Sequence, residues 1–264
     1  MLADVLPDKF GNALIEQWLI KQKRSKQDFN PVERLCYTGT RAMGALEFHP
    51  EIQKTKHNKK QPIEISEMVT LANDVLNNKA YKLQGSDVNG DLDSKAFEYI
   101  YQVGTSAGGA RAKAIINWSE SQNIIVAGHE LPETGFESWL IKFDGVDENK
   151  DKEVLADPKG FGRIEYAYYL MAKHVGIHMS ECRLLEESDR AHFITKRFDR
   201  HQGKKIHKTS LCGMAHMEFN DNLNNAYEQA FQTARQLGLP KHDLEQLVKL
   251  MAFNVIYRNQ DDHT

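Results

Sequence analysis

The chain is 264 residues long and 41% hydrophobic with a formal net charge of −3, enough apolar content for the core of one large or two-lobed soluble domain and no global basic field for nucleic acid. Cys36, Cys182 and Cys212 are odd in number, far apart and without CxxC spacing, which suits a reducing compartment and points to the cytoplasm. No apolar run approaches the ~20 residues of a membrane span, and Met1 to Phe10, with Asp4 and Asp8, has no signal-peptide core, so neither membrane contact nor export is expected.

From the N-terminus, Met1 to Lys26 reads as one capped helix, with Leu14, Ile15, Trp18 and Leu19 on a single face after Pro7-Asp8. Cys36 to Phe48, with two glycine turns and short apolar pieces, reads as a buried loop or short hairpin. Glu51 to Lys60 turns polar and basic and is expected to be a solvated linker. Ile65 to Ala80, with Met68, Leu71, Ala72, Val75 and Leu76 at helical spacing, predicts a second amphipathic helix. In Ser86 to Glu98 the spacing of Asp87, Asn89 and Asp91 imitates a calcium loop, but its sixth position is Leu92 rather than the glycine the sharp turn requires. The same residues read as a polar loop opening a helix from Ser94 to Val103, with Ser94 as N-cap.

VGTSAGGARAK, Val103 to Lys113, is rich in glycine and small residues, so its backbone is free to approach a bound group. Successive amides in such a turn form an anion-binding concavity, and Arg111 and Lys113 add charge at its edge. Neither GxxxxGK[ST] nor GxGxxG is present, so the loop alone also fits a tight hairpin turn. Ala114 to Trp118 and Asn123 to Ala127 predict the two strands of a hairpin. Glu137 to Phe143 predicts an apolar strand bearing Lys142, whose ammonium needs an anion if it is buried. Val146 to Lys159 reads as an acidic loop, and Glu165 to Val175 as an apolar helix with Glu165 in its first turn. Ala191 to Phe198 predicts a further strand and Asp199 to Lys208 a polar connection. Asn225 to Leu237 and Lys241 to Tyr257 predict two helices, separated by Gly238 as C-cap and by Pro240. His216 is read as structural.

A glycine-rich loop, a strand lysine, a helix acid, a strand leading to Lys196-Arg197-Phe198, two helices and a terminal acidic loop follow the part order of a protein kinase. Phosphoryl transfer needs positioning and charge neutralisation more than covalent help, and these residue types supply both.

Six segments carry a closer resemblance: LPDKFGNALIEQWL (Leu6 to Leu19), GTRAMGALEF (Gly39 to Phe48), SAGGARAK (Ser106 to Lys113), WLIKF (Trp139 to Phe143), KRFDR (Lys196 to Arg200) and RNQDDH (Arg258 to His263). In this order and over nearly the whole chain they resemble the HipA family of bacterial toxin kinases. The resemblance implies an α+β, two-lobed protein-kinase-like fold, with a mixed antiparallel sheet and helices in the N-lobe and an incomplete helical C-lobe. Residues 1–198 would form the N-terminal lobe with its helical leader, and 199–264 the start of the C-terminal lobe, ending at the catalytic loop. It implies ATP and Mg2+ as cofactors, with Gly104, Ser106, Ala107, Gly108 and Gly109 covering phosphates, Lys142 holding them and Glu165 orienting Lys142. The backbone of Lys196 and Phe198 would read adenine, and Asp261 would be the catalytic base, with Asp262 and His263 orienting its loop. Ser106 matches the family's autophosphorylated serine, with Thr105 as the adjacent alternative.

The implied activity is that of a toxin-type serine/threonine kinase of a toxin–antitoxin system. It would act on a translation-related protein such as an aminoacyl-tRNA synthetase, and would be partnered by a DNA-binding antitoxin of HipB type through which alone DNA is met. A kinase catalytic loop places a metal-binding Asn five residues after its Asp, which from Asp261 falls past Thr264. No metal ligand is therefore expected within the chain, which reads as truncated at its C-terminus. The alternative reading is a catalytically dead nucleotide- or antitoxin-binding fragment, a pseudokinase.

Overall fold

The computed structural model describes residues 2–7, 9–52, 62–76, 100, 104, 111–146, 159–218, 225–259 and 262. The linker 53–61, the polar loop and most of the helix expected over 86–103, the loop residues 105–110, the acidic loop 147–158, Asp261 and His263 lie outside them. By internal contacts the chain divides into two compact units: residues 5–166 with 180–208, and residues 1–4 with 167–179 and 209–264. Neither is continuous in sequence, and the second takes up the C-terminal run from Thr209.

The larger unit is built on one antiparallel sheet. Its strands are β1 (Lys113–Ser119), β2 (Ile124–Ala127), β3 (Glu137–Lys142), β4 (Cys182–Glu187) and β5 (Arg190–Lys196), in the order β2-β1-β3-β5-β4. The predicted β1–β2 hairpin is present, closed by a turn in which Asn123 takes φ 51°, a left-handed conformation that asparagine tolerates. Strand β4 was not foreseen. Its sequence, CRLLEE, buries only Cys182, so an edge strand half open to water shows no alternation to read. The connection after β5 also folds further than expected, into a two-rung ribbon of β6 (Arg200–His201) and β7 (Lys204–Lys205) turned by Gln202 and Gly203.

Helix α1 (Lys9–Lys21) and helix α3 (Ile65–Leu76) cover the sheet, and Phe10, Leu14, Met68, Val69 and Ala72 meet Ile116, Trp139, Ile141 and Ile194 in one core. The expected single helix from Met1 to Lys26 is instead a 3-10 turn over Leu2–Val5, a break at Leu6-Pro7, α1, and a second 3-10 turn over Lys26–Asp28. Proline lacks an amide donor and cannot continue the first turn. The loop or hairpin expected over Cys36 to Phe48 begins as helix α2 (Pro31–Thr38). Asn30 caps it by accepting from the Glu33 amide at 3.0 Å, Glu33 accepts from the Asn30 amide at 3.3 Å, and Pro31 occupies the first turn. A second cluster, Ile15, Leu19, Phe29 and Tyr37, seals α2 against α1.

Helix α4 (Phe161–His174) starts four residues earlier than expected. Its first residues belong to the larger unit and its later ones to the smaller, where Ala172 and Ile177 pack with Phe253. The smaller unit also holds α5 (Leu211–Ala215), α6 (Tyr227–Gln236) and α7 (Lys241–Ile256). Gly238 ends the α6 segment with φ 68°, as its C-cap role predicts, and His216 is the left-handed C-cap of α5, a structural use of that histidine. Asp4 accepts from the Thr209 hydroxyl at 2.6 Å, the Ser210 amide at 2.8 Å and the Ser210 hydroxyl at 2.7 Å, tying the chain start to the α5 cap.

Candidate active site

In the larger unit, Lys142 ends β3 and Glu165 lies in the second turn of α4. Lys142 Nζ donates to Glu165 Oε2 at 2.6 Å. Because α4 starts at Phe161, no acid falls in its first turn, and attraction to the helix dipole does not account for Glu165. What places it is the lysine and the anchoring of the helix start. Asp144, two residues beyond Lys142 and buried, accepts from the Gly160 amide at 2.8 Å and the Ala191 amide at 3.2 Å. Its own amide donates to Nδ1 of the buried His192 at 2.9 Å. The end of β3, the start of β5 and the residue before α4 are thus joined through one carboxylate.

Two cations share Glu165. Arg111 Nη1 donates to Oε1 at 3.3 Å, and the Arg111 guanidinium lies 4.5 Å over the Phe161 ring. Lys142 faces the Phe193 ring at 5.8 Å, and its register partner across β1–β3 is Lys113, so both lysines stand on one face of the sheet. Lys142 remains 34% exposed, so its ammonium is held by a carboxylate and still reachable.

The remaining candidates are placed unevenly. Gly104 is helical and buried, and a Cβ there would come within 2.7 Å of Leu14 Cδ1 and 3.0 Å of Phe10 Cε1. Its missing side chain therefore serves packing against α1. Ser106, Ala107, Gly108, Gly109 and Asp261 lie outside the described residues. The amide of Lys196 donates to the Glu181 carbonyl at 2.8 Å as the final rung of the sheet, so its N–H is not presented to a nucleobase. Its ammonium pairs with Glu137. Phe198 lies in the turn after β5 and is 64% exposed.

Two groupings in the same motifs were not foreseen. In KRFDR, Arg197 and Arg200 converge on the buried Asp199, which also accepts from the Gly44 amide at 2.6 Å. Arg200 reaches the carbonyls of Gly44 at 2.9 Å and Ala42 at 3.2 Å, so the GTRAMG segment is stapled to the end of β5. In the smaller unit, Tyr227 donates to Asp262 Oδ2 at 2.6 Å and accepts from Asn254 Nδ2 at 2.9 Å, while Asn259 is bonded to Asn254. Asp262 and Asn259 are thereby held by residues of α6 and α7. Burial, then the hydrogen bond to Asp262, pushes the Tyr227 hydroxyl up to about 12.

An antiparallel sheet whose strand lysine is ion-paired to a glutamate on the following helix is the N-lobe arrangement of protein kinases. The model of the HipA-like C-terminal domain matches residues 105–264 and that of the HipA N-terminal domain residues 1–49. The first spans more than half of the chain, which belongs to the HipA-like family. A chain of the Shewanella oneidensis MR-1 toxin–antitoxin complex of HipA, HipB and operator DNA superposes with a TM-score of 0.56 at 15% identity, over 99% of this chain and 57% of that one. This chain thus spans little more than half the length of that relative. No curated protein matches it. The fold is the expected α+β, kinase-like HipA fold.

Proposed function

We propose that the protein is an ATP-dependent serine/threonine kinase of toxin type. The observation that carries this reading is the 2.6 Å pair between Lys142 and Glu165, set on the strand and helix where a kinase holds its phosphate-binding lysine. ATP supplies the transferable phosphoryl group. Lys142 would contact its phosphate oxygens, Glu165 would keep the ammonium aimed at them, and Asp261 would accept the proton of the attacking hydroxyl. Among the described residues no group of three or more His, Cys, Asp or Glu side chains converges on a metal position, so no step here is assigned to Mg2+.

The reading extends to a substrate serine on a translation-related protein such as an aminoacyl-tRNA synthetase, and to action in the cytoplasm. Among the described residues no helix is long and apolar enough to cross a membrane. A HipB-type antitoxin is the proposed partner, supported by the related complex, with DNA met only through it, in keeping with a net charge of −3. Autophosphorylation would fall on Ser106, or on Thr105 beside it. There a phosphate would bring roughly −2 charge and three acceptors into the loop whose amides are proposed to cover the nucleotide's phosphates, so the two would compete for the same donors. Silencing by that modification follows from the competition.

The test is direct. Lys142→Met should weaken binding of a fluorescent ATP analogue at least several-fold, since charge-assisted phosphate contacts are worth ~1.5–3 kcal/mol. Unchanged affinity removes Lys142 from the site and the reading with it. In a form of the protein that also carries the metal-binding residues, mass spectrometry after incubation with ATP and Mg2+ should find phosphate on Ser106 or Thr105, absent in Asp261→Asn, whereas the 264-residue chain by itself should stay unmodified.

A further inference from the structure

The Lys142–Glu165 pair has a third member. Glu165 is gripped at both carboxylate oxygens, by Lys142 at Oε2 and by Arg111 at Oε1. Phe161, four residues before Glu165 and hence on the same face of α4, lies under the Arg111 guanidinium at 4.5 Å. Arginine, unlike lysine, can lay a planar group on an aromatic ring while its edge N–H bonds face a carboxylate. A lysine–glutamate pair leaves the carboxylate free to rotate about its terminal torsion, whereas a second donor on the other oxygen removes that freedom. Arg111 also directly precedes Ala112 and β1, at the end of the glycine-rich segment, so it links that segment to α4.

We propose that Arg111 is a positioning residue for nucleotide binding. By clamping Phe161 and Glu165 it fixes the carboxylate that aims Lys142, and it acts through Glu165 rather than by touching the nucleotide. The inference rests on the reading of Lys142 as a phosphate-binding residue. It adds a residue that the kinase lysine–glutamate pair does not require, and it makes the set of that pair depend on where the end of the glycine-rich segment stands.

The experiment is a double-mutant cycle read by equilibrium binding of N-methylanthraniloyl-ATP to the full chain, with thermal unfolding measured alongside. Arg111→Gln should weaken binding about three- to five-fold, the range of a partly exposed ion pair. Arg111→Lys should recover part of the loss and Phe161→Leu should reproduce part of it. Arg111→Gln placed in a Glu165→Gln background should bring no further loss, because the group through which Arg111 acts is gone. Multiplying effects in the double variant would mean that Arg111 touches the nucleotide directly and would overturn the inference. So would wild-type affinity in Arg111→Gln alongside a weakened Lys142→Met, or a lowered unfolding midpoint with unchanged affinity. If Arg111→Gln fails to fold, the Arg111→Lys and Phe161→Leu variants carry the same comparison. Wild-type affinity in Lys142→Met is the separate result that removes the underlying reading, and the role of Arg111 falls with it.

Discussion

Arg197 and Asp199, two residues apart, close an ion pair through two hydrogen bonds, Nε to Oδ1 at 2.9 Å and Nη2 to Oδ2 at 2.7 Å, with both side chains 1% exposed. Asp199 also serves Arg200 and the Gly44 amide. Asp199→Ala would leave two buried guanidinium groups sharing no carboxylate, and breaking a buried pair from one side typically costs about 3–5 kcal/mol. Urea unfolding should show a midpoint lowered accordingly. A midpoint within experimental error of the wild type would show that water or a rearranged acceptor replaces Asp199.

The same carboxylate sets a pH dependence. Burial pushes the Asp199 carboxyl up, but hydrogen bonds from Arg197 and the nearby guanidinium charges outweigh it and hold the group below the usual carboxylate range. A depressed folded-state value means that the stabilisation is fully present above the unfolded value, about 3.9, and is lost as pH falls through the lower folded one. Acid unfolding of Asp199→Asn should therefore lack the part of the transition below about pH 4 that the wild type shows. Superimposable acid limbs would remove Asp199 as its source.

Gly162, one residue into α4, is a second point of leverage. A Cβ there would overlap the Ala191 carbonyl oxygen and lie 3.0 Å from Ala191 C and 3.1 Å from Phe193 N, all backbone atoms of β5 that cannot swing aside. Gly162→Ala should push the start of α4 off the sheet, with overpacking costing about 1–3 kcal/mol. Because Glu165 rides on the next turn of the same helix, nucleotide affinity should fall together with stability. Full retention of both would show that α4 can shift without disturbing the ion pair.

Two tyrosines should ionise late. The Tyr227 hydroxyl is pushed up to about 12 by burial and by Asp262, and burial does the same for Tyr37. For a raised value the sign runs the other way: the Tyr227 contribution is intact below the unfolded value of about 10 and is lost as pH rises through 12. Spectrophotometric titration should show a phase near 12 whose amplitude drops in Tyr227→Phe. If the phase is unaltered, the Tyr227–Asp262 bond does not hold in solution.

What could be read from the sequence was what depends on local periodicity or on a single conspicuous residue. The β1–β2 hairpin, α3, the C-cap Gly238 and the misfit of Lys142 in an apolar strand all carry their explanation within a few positions. Glu165 was named from the order of kinase parts, and the competing explanation, attraction of an acid to the first turn of a helix, falls because it does not sit in the first turn of α4. Arg111 and Phe161 were illegible as a pair because they are fifty residues apart and meet only when α4 lies beside the start of β1. Asp199 read as the start of a polar connection, because nothing in DR announces that both side chains will be buried. The packing of Gly104 on Leu14 and Phe10 was illegible too, because a glycine needed for helix packing looks, in sequence, like one needed for a turn.

The staple at Asp199 also bears on the speed of conformational events. Gly44 and Asp199 are 155 positions apart, so their contact closes one of the longest loops in the larger unit, whereas the β1–β2 and β4–β5 hairpins close within a few residues. Contacts of such separation form after the local ones, because chain closure is entropically slow to be rewarded. Interactions absent from the folding transition state act on the unfolding rate. Weakening the staple should thus leave refolding nearly unchanged and accelerate unfolding, so that Asp199 governs how long a folded molecule persists more than how quickly it arises.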